Sequence, residues 1–236
     1  MLVPETSLDS MLQRIHRKNQ PFTLSRWGDG EWTAVLGLGT GKSNCDGHPY
    51  YPQMGHALRE ILVSRPPYML GMQQYAVRKF GKAISGFIEE CGILEADWID
   101  ADVFHGGAFH GRMNEILDAV RTRRVILVGP PHLRRIPASQ LPFDCFIEVP
   151  EKNLFLSLDE IHASIRQAVR YRDEPLLISL SASMPAGILC DRLHAEFGQR
   201  HSIVDFGSLW DPLAGVASRG YMRSAGSSQS SWGRLY

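Results

Sequence analysis

The sequence predicts an α/β fold, a single Rossmann-like domain with a mainly parallel sheet flanked by helices. Three observations carry that expectation. Short apolar runs alternate with segments whose apolar residues recur at helical spacing, as βα units require. Glycines, serines and acids collect at the exits of those runs, where open parallel sheets bind ligands. The chain has 236 residues, 44% of them hydrophobic, which suits one buried core.

Thr6 or Ser7 is placed to cap a first helix bearing Leu8, Met11, Leu12 and Ile15. Strands are expected at 22–27, 68–72, 125–129, 145–149, 176–181 and 203–206, and helices at 75–91, 113–121, 158–171 and 186–197. The domain is read as 1–218, followed by a Ser/Gly-rich tail over 219–236 that lacks a core pattern.

The most informative segment is Ser25-Arg26-Trp27-Gly28-Asp29-Gly30-Glu31. Gly28-Asp29-Gly30 should break the strand and turn the chain. In a turning or extended segment, Asp29 and Glu31 could both face one hard cation, which prefers oxygen ligands, while the Arg26 fork suits phosphate. A plain surface turn accounts for Asp-Gly equally well, and an isolated Asp-x-Glu triplet carries little information.

The longer string resembles the Arg-(Phe/Trp)-Gly-Asp-Gly-Glu signature of the GT-D type glycosyltransferases. Order and spacing match over roughly 21–215, including a late strand with a small-residue loop, Ser181-Ala182-Ser183-Met184-Pro185, and the strand end Asp205-Phe206-Gly207. The chain departs from that pattern at Ser181-Ala182-Ser183, where relatives carry a Gly-Pro-Thr-like loop, and at Ser208, where they carry His. The resemblance implies a GT-D-like domain that transfers a sugar from a nucleotide sugar, a UDP-sugar by expectation, to an acceptor hydroxyl. It implies Asp29 and Glu31 as ligands of Mn2+ or Mg2+, with Arg26, Gly28 and Gly30 beside the donor. Asp205 is the first candidate base and His110 the second. The acceptor is left open among a glycan, a peptide and a modified nucleobase, so nucleic acid enters only as acceptor.

Other segments compete for function. Gly37-Leu38-Gly39-Thr40-Gly41-Lys42-Ser43 ends like a P-loop but has Leu36 where the motif needs glycine, and 44–49 is a poor helix. A P-loop-like phosphotransferase or NTPase, or a nucleotide-binding module without turnover, is therefore the alternative, and 37–47 reads as a lid or connector. Ser183 can cap the helix that follows it, and with Ser181 would place a donor diphosphate at a helix start. His105-Gly106-Gly107-Ala108-Phe109-His110-Gly111-Arg112 reads as a binding loop in which His110 and Arg112 contact acceptor or phosphate, against the simpler reading of a solvated glycine turn. Cys45 and His48 lack the second pair that zinc requires. Arg134-Arg135, Asp205 and Asp211 complete the loop residues with chemistry to offer.

The 25 basic and 25 acidic residues cancel, so no global field recruits nucleic acid or an anionic membrane, although a local groove stays open. Cys45, Cys91, Cys145 and Cys190 are scattered, and with no leader at Met1-Leu2-Val3-Pro4-Glu5 the expectation is a reduced, cytoplasmic protein. No run approaches the roughly 20 apolar residues of a membrane span.

Overall fold

The computed structural model describes residues 5–93 and 98–218, so the 219–236 segment read as a tail lies outside the described residues. Seven strands form one parallel sheet: β1 (Thr23–Trp27), β2 (Met69–Met72), β3 (Trp98–Asp100), β4 (Arg124–Gly129), β5 (Cys145–Glu148), β6 (Leu176–Leu180) and β7 (Ser202–Asp205). Their order is β3-β2-β1-β7-β6-β4-β5, every pairing parallel.

The helices are α1 (Leu8–His16), α2 (Asp29–Val35), α3 (Pro52–Ser64), α4 (Gln74–Cys91), α5 (Val103–Phe109), α6 (Met113–Arg121), α7 (Leu158–Val169) and α8 (Ala186–Phe197). Parallel crossovers are right-handed, so connections running in opposite directions across the sheet must use opposite faces. The β1→β2→β3 and β5→β6→β7 connections run the same way, and α2, α3, α4, α7 and α8 cover one face with Trp32, Leu58, Phe87, Ile165 and Leu189. The β3→β4 connection runs back, and α5 and α6 join α1 on the other face through Phe104, Ile116 and Met11. Both faces being covered, all five residues of β6 are buried.

The main strands fall where the sequence predicts, with corrections elsewhere. β3, α2, α3 and α5 were not anticipated. Asp29 and Glu31 lie on α2 rather than in an extended turn, and Gly30 sits inside that helix. Gly55 of α3 packs so close to α2 that a Cβ there would strike the Ala34 carbonyl oxygen. This close packing overrides the low helix propensity of glycine. Ser7 precedes α1 without a side-chain cap, and Thr6 instead accepts the Asp100 N–H through Oγ1 at 2.9 Å.

The edge of the sheet where its strands begin is held by a buried cation. Arg123, 5% exposed, donates to the carbonyls of Ile15 at 2.9 Å and Leu176 at 3.0 Å, joining α1 to β6, and burial lowers its pKa. Beside it His201, 1% exposed, accepts the Leu176 N–H through Nδ1 at 3.1 Å. Burial, with Arg200 and Arg123 adding repulsion, lowers its pKa from 6.5 to about 4. The unfolded chain therefore takes up this proton near pH 6.5 and the folded chain only near pH 4, so the stabilisation is present above pH 6.5 and lost as the pH falls through that window. The expected outcome is that wild type loses up to about 3 kcal/mol between pH 7 and 4 relative to His201→Gln, at about 1.4 kcal/mol per pKa unit. Urea unfolding of both proteins across that range checks it, and parallel curves would refute the assignment.

Candidate functional site

The residues with chemistry to offer converge at the strand exits around the junction of β1 with β7, where the connections leave for opposite sides. Alternation along β1 sends Ser25 and Trp27 toward α8 and Arg26 toward α5. Arg26 donates from Nε to the Ala101 carbonyl at 2.8 Å and from Nη2 to Asp102 Oδ1 at 2.9 Å, and only 16% of its side chain is exposed. Its Nη1 lies against Gly207, just past β7, whose φ of +54° already favours glycine and where a Cβ would collide with that nitrogen. One guanidinium thus ties the ends of β1, β3 and β7 together.

Gly28 and Gly30 serve close approach. A Cβ on Gly28 would stand 3.1 Å from Gln73 Oε1 and 3.2 Å from Glu31 Oε2, and one on Gly30 would stand 3.0 Å from Met184 Cγ. The first turn of α2 is therefore wedged between the β2 exit and the loop that precedes α8. Beneath it, Trp27, Trp32 and Trp98 pack with ring centroids 6.0–6.5 Å apart and form an aromatic floor.

Asp29 and Glu31, two residues apart on a helix, do not share a direction. Asp29 Oδ2 pairs with Lys79 Nζ at 2.9 Å on the open side, both side chains 41% exposed, while Glu31 Oε2 turns back to accept the Gly28 N–H at 2.8 Å. Desolvation, aided by repulsion from Asp205, raises the Glu31 pKa from 4.5 to about 7. Asp205 is 4% exposed and its Oδ1 accepts the Gly207 N–H at 2.9 Å. Burial raises its pKa from 3.8 to about 6, against the pull of Arg26 and of the Gly207 and Arg26 amides. Two desolvated, mutually repelling carboxyls beside a glycine-lined rim mark a candidate functional centre.

The loop before α8 adjoins this centre through Met184. Ser181 Oγ is buried with no hydrogen-bond partner. Ser183 is not the cap that the sequence suggested: α8 begins at Ala186 after Pro185, and Ser183 has a left-handed φ of +49°. Its hydroxyl joins the 37–50 segment instead, accepting from Asn44 Nδ2 at 2.9 Å and donating to Asp46 Oδ2 at 3.3 Å. The P-loop-like residues 37–43 follow α2, not a strand, and no helix starts at Lys42. The structural context of a P-loop is therefore missing.

His110 is not brought to this centre. At the far end of α5 it is exposed, with Nδ1 on the Gly106 carbonyl at 2.7 Å, whereas His105 is buried beside Gly207, its Cε1 3.8 Å from the position of a Cβ there. Arg112 is held by Asp9 and by Glu115 and is likewise apart. Asp102, Gln73 and Lys79 join the site without having been singled out, because they lie just past β3, just past β2 and on α4, and the sequence did not reveal β3; His105 comes from the glycine-rich 105–112 segment. Among the described residues no group of three His, Cys, Asp or Glu gathers that could hold a metal, Cys45 and His48 included. No described helix is long and apolar enough to cross a membrane.

No family model matches the sequence, and no curated protein matches it. Solved structures do. The DUF1792 glycosyltransferase of Streptococcus sanguinis superposes with a TM-score of 0.63 at 18% identity, covering 89% of this chain and 83% of that one. A domain of unknown function 1792 described as having a distinct glycosyltransferase fold gives 0.61 at 14% identity, covering 89% and 79%. A selenomethionine-substituted DUF1792 domain gives 0.60 at 15% identity over the same shares. The chain has the DUF1792 glycosyltransferase fold. In this DUF1792-type fold, with a single seven-stranded parallel sheet, the Arg26–Glu31 string occupies the exit of β1, an interior strand beside the central β7.

The Arg26–Gly207 contact predicts a steep cost for added bulk. Gly207→Ala should destabilise the protein by about 1–3 kcal/mol, combining left-handed strain with displacement of the guanidinium. Chemical denaturation of Gly207→Ala, Arg26→Lys and the double variant checks this, the double costing less than the sum if the clash is real.

Proposed function

We propose that this protein is a metal-dependent glycosyltransferase that moves a sugar from a nucleotide sugar, a UDP-sugar in the first instance, to an acceptor hydroxyl. The observation that carries the reading is the placement of the Arg-Trp-Gly-Asp-Gly-Glu string. On a fold shared with DUF1792 glycosyltransferases, it sets Glu31 next to buried Asp205 at the adjoining ends of β1 and β7.

The donor set suits a hard divalent cation. Mg2+ and Mn2+ are commonly held by one or two carboxylates together with substrate phosphates and water, so a three-residue cage is not required. Because the two diverge on α2, the cation is proposed to be held through Asp29 or Glu31, with substrate phosphate and water completing its shell. Asp29 is available because an exposed pair such as Asp29–Lys79 is worth at most about 1 kcal/mol. Glu31 becomes available by losing its proton. When bound, the cation supplies charge stabilisation to the departing nucleoside diphosphate.

The protein's own groups do the rest. The start of α8, a 12-residue helix whose Ala186 and Ile188 amides already bond the Ser183 and Pro185 carbonyls, offers a partial positive charge for a diphosphate, and the Ser181 hydroxyl, without a hydrogen-bond partner among the described residues, is a further donor at the exit of β6. Lys79, released from Asp29, can follow a phosphate oxygen. Arg26 fixes the rim while contributing positive charge. The acceptor's chemical class stays open among a glycan, a peptide and a modified nucleobase.

Glu31→Gln should keep the Gly28 contact and the fold yet lower sugar transfer at least about 100-fold, and Asp29→Ala should raise the manganese concentration needed for half-maximal rate. Release of nucleoside diphosphate from sugar nucleotides, measured with manganese, after EDTA and after metal is restored, tests the reading. Wild-type rates in both variants, or turnover undiminished by EDTA, would overturn it.

A further inference from the structure

A second buried acid lies on the same rim, toward the face covered by α1, α5 and α6. Asp211 is 5% exposed and opens a short 3-10 helix after β7, packed against another 3-10 turn (Pro131–Arg135) after β4. Its Oδ1 is 2.9 Å from His132 Nε2, and its Oδ2 accepts the Ser218 hydroxyl. An ionised carboxylate only accepts hydrogen bonds, so the imidazole must donate from Nε2, leaving the lone pair on Nδ1. Nδ1 has no protein partner among the described residues, and a fifth of the His132 side chain reaches solvent. Arg134 turns away to Glu148 at 3.2 Å and to the Phe146 ring, and Arg135 reaches the His132 carbonyl, so Asp211 is the charged group facing the imidazole.

We propose that His132 Nδ1 is the proton acceptor for the incoming hydroxyl, oriented by Asp211. This rests on the transferase reading. The acceptor oxygen forms a bond to the anomeric carbon, the carbon–oxygen bond to the diphosphate breaks, and its electron pair leaves with the nucleoside diphosphate. The hydroxyl proton passes to Nδ1, and the imidazolium is stabilised by Asp211. Asp205 is less suited to that step. It is 4% exposed, with Oδ1 engaged by the Gly207 amide, whereas His132 offers an open nitrogen on the rim. Ser181, at the exit of β6, has its Cβ 3.2 Å from where a Cβ on Gly129 would stand against Leu133, so the loop proposed for the donor begins beside the turn that carries His132.

The experiment measures nucleoside diphosphate release from a panel of UDP-, GDP- and ADP-sugars with manganese, water serving as acceptor. It is paired with calorimetric binding of UDP plus manganese and with thermal melting. His132→Ala and His132→Gln should each lose about 100-fold or more in rate, as expected for a removed general base. Their UDP affinity and melting should remain near wild type, and added imidazole should restore part of the His132→Ala rate. His132→Gln should also lack the fall in rate on the acid side that protonation of the base gives wild type. Asp211→Asn, which can donate to Nε2 and so moves the proton to Nδ1, should be as slow as His132→Ala, whereas Ser218→Ala should stay within about threefold. A wild-type rate in both His132 variants, or a loss accompanied by equal loss of UDP binding and unrescued by imidazole, would overturn the assignment. Silence of the wild type with every donor would instead defeat the transferase reading itself, and this assignment with it.

Discussion

Everything at the functional rim depends on where one guanidinium is held. Arg26 is nearly buried, so each of its hydrogen bonds counts for more than at a surface, and each lost partner would cost more. It reaches out of β1 to the Ala101 carbonyl and Asp102 and presses on Gly207, so three chain segments distant in sequence meet around one planar group. Lysine could not span these directions, because it lacks the fork. The charge placed there also tempers the two carboxyls nearby, drawing both Asp205 and Glu31 toward ionisation while burial pushes them the other way.

The rim divides by face. Glycines, the α8 start and the Asp29 and Glu31 carboxyls gather on the side of the larger core, where the chain can approach a polyanion with backbone rather than bulk. The other side presents imidazoles and acids: His105 beside Gly207, and His132 clasped by Asp211. A sheet whose crossovers separate onto two faces produces this division without further device, because alternate residues at each strand end must point to opposite faces.

What the sequence disclosed follows physical lines. Strands such as Leu176–Leu180, apolar but for Ser179, are long enough to stand out, whereas the three residues of Trp98–Asp100 carry too little pattern. α2 and α3 were hidden because Gly30 and Gly55 are chosen for contact with Met184 and Ala34, and local propensity argues against them. The Arg26–Glu31 string led to the strand exit where Asp205 also lies, but a helix separates the two carboxylates that a turn would have aligned. In the glycine-rich 105–112 segment, pattern alone favoured His110 over His105, although only the start of α5 reaches the rim. Nothing local links His132 to Asp211, which lie 79 positions apart and are joined only by the packing of two loops.

The interior position of β1 sets the order in which the protein can come into being. Its neighbour on one side, β7, pairs Thr23 with Ile203 and Leu24 with Val204. At about 5–20 residues per second, a ribosome takes roughly 9–36 s to make the intervening 180 residues, so the nascent chain carries an open strand edge at its middle for that time. Contacts of such long range also slow spontaneous folding. The rim assembled around Arg26 needs Gly207 as well, so the candidate centre is among the last regions to exist during synthesis. A chain broken before β7 would hold most of the sheet's residues and none of its completed site.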